Sequence, residues 1–130
     1  MPDFQPDLAK GDTALIVTAA LNHGCTAPQI AYLLATAYHE TARTMRPVRE
    51  TLAGTDDSAI ARLENAYKRG VLTWVSRPYW RRDTAGKSWF GRGYVQITHK
   101  RNYERLAGRL GLDLTTDPGV VMRPEIAAQI

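Results

Sequence analysis

The sequence predicts a mainly α fold of the α+β class, with one small β element. Three observations predict it. Apolar residues recur at helical spacing in four segments, near residues 12–21, 26–43, 56–69 and 100–110. β-favouring residues concentrate in a single stretch, Ser88 to Thr98. The length, 130 residues, is that of one domain able to bury a single core.

The first helix is predicted from about Asp12 to Leu21, rich in Ala, Leu, Ile and Val, and Asn22-His23-Gly24 stops it. The second is the clearest. Thr26 can cap it and Pro28 falls in its first turn, where a missing N–H costs nothing. Ile30, Leu33, Leu34, Ala37 and Tyr38 then line one face, and the helix ends around Thr41 to Arg43. Thr44 to Thr55 reads as loop, punctuated by Pro47 and Gly54. Asp56 or Asp57 can cap a third helix reaching Arg69, with a stripe of Ile60, Leu63 and Tyr67. Lys68 and Arg69 suit its C-terminal dipole, and Gly70 closes it.

Val71 to Lys87 is irregular, aromatic and basic. In Ser88 to Thr98, Trp89, Phe90, Tyr94, Val95 and Ile97 surround Gly91 and Gly93, which reads as a short hairpin or bent strand. A further helix covers about Lys100 to Leu110, with Tyr103, Leu106 and Leu110 inward and Gly111 as its stop. Pro124 opens a last helix of less than two turns, too short to be stable alone. The expectation is one domain over residues 1–130, cut short at its C-terminus or completed by a neighbour.

Composition narrows the classes. Hydrophobic residues make up 44% of the chain, yet no apolar run approaches the roughly 18 residues of a membrane span. Membrane insertion is therefore not expected. Net charge is +4 and the pI is about 9.5, a mild excess that favours anionic partners. The arginines are scattered, and only Arg81 and Arg82 are adjacent, so a solvated surface explains them better than a nucleic-acid interface. The start, Met1-Pro2-Asp3-Phe4, lacks a charged-then-apolar leader pattern, so cytoplasmic synthesis is expected. Cys25 is the only cysteine, which rules out an internal disulfide and fits a reducing compartment. It reads as an inert residue at a turn. One cysteine and three separated histidines give no ligand cluster, so neither metal nor cofactor is expected.

Glu40 is the first candidate for chemistry. It lies on the flank of the second helix's apolar face, where partial desolvation would favour a protonated carboxyl. Glycosidic cleavage needs such an acid, because the leaving oxygen must gain a proton as the bond breaks. The plain alternative is an exposed Glu paired with Arg43 or Thr44. A glycosidase also needs a second carboxylate. Glu50 lies in the following loop, where a reversal after Pro47 could return it across a cleft. Glu64 competes, although Lys68 four residues on offers it a surface ion pair.

The segment Phe90-Gly91-Arg92-Gly93-Tyr94-Val95-Gln96-Ile97-Thr98 is the second dense region. Alternation would put Tyr94, Gln96 and Thr98 on one face, opposite Val95 and Ile97. Its glycines permit close backbone approach. Gln96 and Thr98 offer donors and acceptors for sugar hydroxyls and acetamido groups. Tyr79, Trp80 and Trp89 could stack on sugar rings, or could equally be core. The Gly-x-Gly lacks the third glycine and the strand-to-helix context of a nucleotide loop.

Taken together, His39-Glu40-Thr41 at a helix end, Gly91 to Thr98, and Asn102-Tyr103 resemble glycoside hydrolase family 19, which holds chitinases and chitinase-like phage endolysins. Met45-Arg46-Pro47-Val48-Arg49-Glu50 is similar to phage and prophage members in particular. The resemblance spans about Ala35 to Ile130. It implies a lysozyme-like helical fold with a small β-hairpin lining the cleft. It implies Glu40 as general acid, Thr98 as a holder of the attacking water, and Gln96 and Asn102 as sugar ligands. Glu50 matches the acidic residue that follows the His-Glu motif in phage members. His39, Tyr94 and Tyr103 belong to the same motifs, and with Trp89 they complete the expected glycan-binding set. One departure is plain: relatives often carry Gly-Gly after His-Glu-Thr, where this chain has Ala42-Arg43.

The resulting expectation is an inverting glycosidase cleaving β-1,4 bonds of cell-wall peptidoglycan. Glu40 protonates the leaving oxygen, and Glu50 activates a water that Thr98 positions. Such a pair stands roughly 6.5–9.5 Å apart. The protein is expected to be a monomer, made in a bacterial host's cytoplasm and acting at the wall after release. Chitin is the second candidate substrate, and a non-catalytic glycan-binding remnant is the competing class.

Overall fold

The computed structural model describes residues 6–130; Met1-Pro2-Asp3-Phe4, read above for a leader pattern, lies outside the described residues. The chain is mainly helical with one small antiparallel sheet, the expected fold class. Helix α1 is Thr13–Asn22 and α2 is Ala27–Glu40. A capping box starts α2: Gln29 N–H donates to Thr26 Oγ1, and Thr26 N–H donates to Gln29 Oε1 at 2.8 Å. Such a cap is worth about 1 kcal/mol. The buried stripe of α2 is Ile30, Leu34 and Ala37, continued by Thr41 past its end. Leu33, predicted on this face, is 37% exposed.

Helix α3 is Asp56–Lys68 and packs Ala59 and Leu63 inward. Its cap is Thr55, whose side chain accepts from Ser58 N–H at 3.1 Å, not Asp56 or Asp57. The two aspartates occupy the first turn instead, and Asp56 is engaged by arginines. Helix α4 is Lys100–Leu110, closed by Gly111 in the left-handed region. A short 3-10 turn, Pro118–Met122, leads to α5, Pro124–Ala127.

Strand β1, Val48–Arg49, pairs antiparallel with β2, Arg92–Gly93, placing Val48 opposite Gly93 and Arg49 opposite Arg92. The sequence reading had β1 inside a loop, since two residues are too few to show alternation. The expected hairpin exists only as a tight reversal: Arg92 and Ile97 exchange backbone hydrogen bonds at 3.2 and 2.9 Å. Gln96 has φ 57, so the strand alternation predicted for Tyr94 to Thr98 breaks there. Residues 94–96 form a turn rather than a strand, and Tyr94 and Val95 pack toward the same cluster.

Three apolar clusters make up the core. The first joins Ile16, Ala20, Ile30, Leu34, Ala37, Met45 and Tyr94. The second joins Ala53, Ala59, Leu63, Trp80 and Phe90; the third joins Trp89, Tyr103, Leu114 and Val121. Every residue from Ser88 to Tyr94 is buried, and successive aromatics enter different clusters. This segment therefore ties the helices together. Burial of Phe90 alone contributes roughly 2–3 kcal/mol. Among the described residues no helix is long and apolar enough to cross a membrane.

Candidate active site

Glu40 is the last residue of α2 and is exposed. The half-shielded position expected for it is not realised. Because Leu33 leaves the buried stripe, the apolar face turns away and Glu40 lies roughly 90° from its centre. Among the described residues, no side-chain hydrogen bond or ion pair reaches Glu40, so it is not tied to Arg43 or Thr44. Beside it His39 is also exposed.

The chain leaves Glu40 through a Schellman turn. Arg43 N–H donates to Tyr38 O at 2.8 Å and Ala42 N–H to His39 O at 3.3 Å. Ala42 and Arg43 have φ 52 and 71, the left-handed region where relatives' Gly-Gly would be unstrained. Ala42 and Arg43 therefore hold this turn at a backbone cost that glycine would not carry. Buried Thr41 knits the turn together, donating to Ala37 O at 2.6 Å and accepting from Met45 N–H at 3.0 Å. Asp12 then anchors it: its N–H donates to Met45 O at 2.8 Å, and its carboxylate accepts from Tyr94 O–H at 2.8 Å.

After β1 the chain places Glu50 against Gly91. Glu50 N–H donates to Gly91 O at 2.7 Å, and Gly91 N–H donates back to Glu50 Oε2 at 2.8 Å. Tyr79 O–H donates to Glu50 Oε1 at 2.5 Å. Burial, then the Glu50 carboxylate, pushes the Tyr79 hydroxyl well above its ordinary range, so it stays a donor. On the other side of Gly91 stand Gln96 and Thr98. A Cβ at Gly91 would lie 2.6 Å from Gln96 Oε1 and 3.1 Å from Thr98 Oγ1. Gln96 Nε2 donates to Val48 O at 2.8 Å, and Asn102 Nδ2 donates to Thr98 O at 2.8 Å.

The structure therefore gathers Glu50, Gln96 and Thr98 around Gly91, with Asn102 bonded to Thr98 behind them. It places Glu64 elsewhere. Glu64 accepts from Trp80 Nε1 at 2.7 Å and from Arg81 Nη2 at 2.7 Å, not from Lys68. Arg81 first, then Trp80, holds its carboxyl down at about 2. Arg82 pairs with Asp57 at 2.7 Å, so the adjacent arginines are both engaged.

Three expected glycan ligands lie buried in the core. Trp89 is only 5% exposed, packs edge-on to Tyr103 and donates from Nε1 to Asp83 at 3.0 Å. Tyr103 is fully buried and donates to Phe90 O at 2.7 Å, and burial raises its hydroxyl to about 12. Tyr94 is buried against α1 and α2, and burial likewise pushes its hydroxyl upward. Large aromatics in a small domain are drawn to the core before any ligand is available. Trp80, weighed for stacking, is fully buried too.

Two supporting groups escaped the sequence reading. Arg92, 1% exposed, donates to Asp56 Oδ2 at 2.9 Å, to Ser88 O at 2.9 Å and to Tyr103 Oη at 3.0 Å. Its cross-strand neighbour Arg49 donates to Asp56 Oδ1 at 2.7 Å. Burial raises the Asp56 carboxyl, but Arg49 and Arg92 outweigh it and leave it below its ordinary value. One aspartate at the start of α3 thereby clamps both strands, each next to Glu50 or Gly91 in the chain. No signal in sequence links residues this far apart.

These elements define a mainly helical, lysozyme-like domain with a polar cluster at its sheet. The profile of the family described as chitinase class I, glycoside hydrolase family 19, matches residues 16–129, and the chain belongs to that family. Among curated proteins, an endochitinase of Arabidopsis thaliana is 49% identical over 47 residues, and chitinase 11 of Oryza sativa subsp. japonica is 42% identical over 40. The matched stretches cover 35% and 31% of this chain, and only 17% and 16% of those proteins.

Proposed function

We propose that the chain is an inverting glycosidase that cleaves β-1,4 bonds between N-acetylated amino sugars, with bacterial wall peptidoglycan as its substrate, in the manner of a phage-type endolysin. The observation that carries this reading is the doubly held Glu50 carboxylate, with Gln96 and Thr98 converging on the same glycine. In the mechanism, Glu40 gives its proton to the leaving glycosidic oxygen. Glu50 takes a proton from a water, whose oxygen attacks the anomeric carbon from the opposite face. Thr98 Oγ1 orients that water, and Gln96, Asn102 and exposed His39 bind the sugar. Water is consumed, one C–O bond breaks and one forms, and the two carboxyls exchange protonation states with solvent before the next turnover.

A wall substrate is supported by the phage-like Met45–Glu50 stretch and by the net positive charge. Chitin is the second reading, favoured by the two similar plant proteins being chitinases by name. Incubation with purified sacculi and with chitin oligomers, followed by proton NMR of the new anomeric centres, tests both. Initial release of the α-anomer supports inversion. Initial release of the β-anomer would exclude it, and no new reducing ends from either glycan would exclude hydrolysis.

A further inference from the structure

Beside the Glu50 cluster lies a depression of about 530 Å³, lined by Trp74, Val75, Ser76, Arg77, Tyr79 and His99. That is within the roughly 300–1,000 Å³ of small-ligand sites. Tyr79 joins the two places, because its hydroxyl meets Glu50 while its ring forms a wall of the depression. His99 packs edge-on to Tyr79, with ring centroids 4.7 Å apart. It holds φ 70, an unfavourable value for a non-glycine residue, at the entry to α4. Trp74 is 77% exposed, which is unusual for the largest apolar side chain. Arg77 is exposed, and among the described residues no ion pair engages it. Arg49, Arg81, Arg82 and Arg92 are each bound to a carboxylate; of the arginines without an ion pair, Arg77 is the one that lines this depression.

We propose that Trp74 and Arg77 form a subsite for an acidic sugar unit, the indole carrying the pyranose face and the guanidinium pairing with a carboxylate. An exposed indole offers a flat apolar platform. An unpaired guanidinium offers a forked donor matched to a carboxylate. Peptidoglycan presents free carboxylates on the peptide stems that hang from its lactyl ethers, whereas chitin is neutral. The subsite therefore selects the wall polymer. The inference rests on the glycosidase reading and names its substrate class.

The test is equilibrium binding of the full chain to two short glycans of equal length. One is a wall fragment with free carboxylates; the other is neutral N-acetylglucosamine oligomer. Arg77→Gln should weaken binding of the acidic glycan about tenfold and leave the neutral one unchanged. Trp74→Ala should weaken both. High salt should weaken acidic-glycan binding to the parent and hardly affect Arg77→Gln. Equal losses for both glycans in Arg77→Gln, no loss for either, or no binding of either glycan by the parent would overturn the subsite. Cleavage is scored separately on the parent. A preserved charge preference without any cleavage would support the subsite and count against the hydrolase reading.

Discussion

Glu50 and Gly91 hold each other twice: the amide of each donates to the other residue, once to a carbonyl at 2.7 Å and once to a carboxylate at 2.8 Å. The main-chain bond extends the ladder from β1 and β2, and the side-chain bond fixes one carboxylate oxygen. In the proposed mechanism Glu50 takes a proton from water, and a base held in one orientation before substrate arrives has less to reorganise.

Gly91→Ala should disturb this arrangement. The added methyl would meet Gln96 Oε1 at 2.6 Å, so Gln96 must move. The expected cost is about 1–3 kcal/mol in stability. Turnover should fall further than stability explains. Urea unfolding beside activity of the folded fraction measures both; full activity in a folded variant would show that the placement of Gln96 is not needed.

Tyr79→Phe removes the second hold on Glu50 while keeping the ring. A hydrogen bond to a charged group is worth about 1.5–3 kcal/mol. If that bond serves the transition state, kcat should fall about tenfold or more while KM changes little. A rise in KM with kcat unchanged would assign Tyr79 to sugar binding instead.

Ala42→Gly and Arg43→Gly should each stabilise the protein, by about 1 kcal/mol, because both positions already lie in the left-handed region. Activity should be retained, since the turn after Glu40 is formed without glycine. Thermal unfolding checks the first expectation. A large gain in activity would mean that Ala42-Arg43 impairs the native site and would favour the glycan-binding remnant.

Asp56→Asn should destabilise by about 3 kcal/mol, because it leaves Arg92 buried without its carboxylate. The Asp56 carboxyl is lowered in the folded chain, so its contribution is present above its ordinary value of 3.8 and is lost as pH falls through the lower folded value. Urea midpoints measured from about pH 5 down to about pH 2.5 should fall less steeply in Asp56→Asn than in the parent. Parallel curves would remove Asp56 as a source of the acid dependence.

Much of this was legible in the sequence. Helices α1 to α4 follow from periodicity and punctuation, because each local signal agrees with the packed result. Gln96, Thr98 and Glu50 were named from residue type and resemblance, and the fold brings them to one glycine. Trp89 and Tyr94 read as ligands because an aromatic in a glycine-rich segment looks the same whether it faces a ligand or a core; for Tyr103 the helical spacing pointed inward, and the resemblance alone pointed to the glycan. Strand β1 was missed because two residues carry no period. The Asp56 clamp and the Tyr79 contact join positions 36 and 29 residues apart, so only the folded chain reveals them.

The most direct test of the glycosidase reading is solubilisation of purified sacculi by the parent beside Glu40→Gln and Glu50→Gln, each at equal folded content by circular dichroism. The reading predicts release of soluble, reducing wall fragments by the parent and a loss of at least about a hundredfold in each variant. Equal release by parent and variants would contradict it, because neither carboxyl would then carry the chemistry.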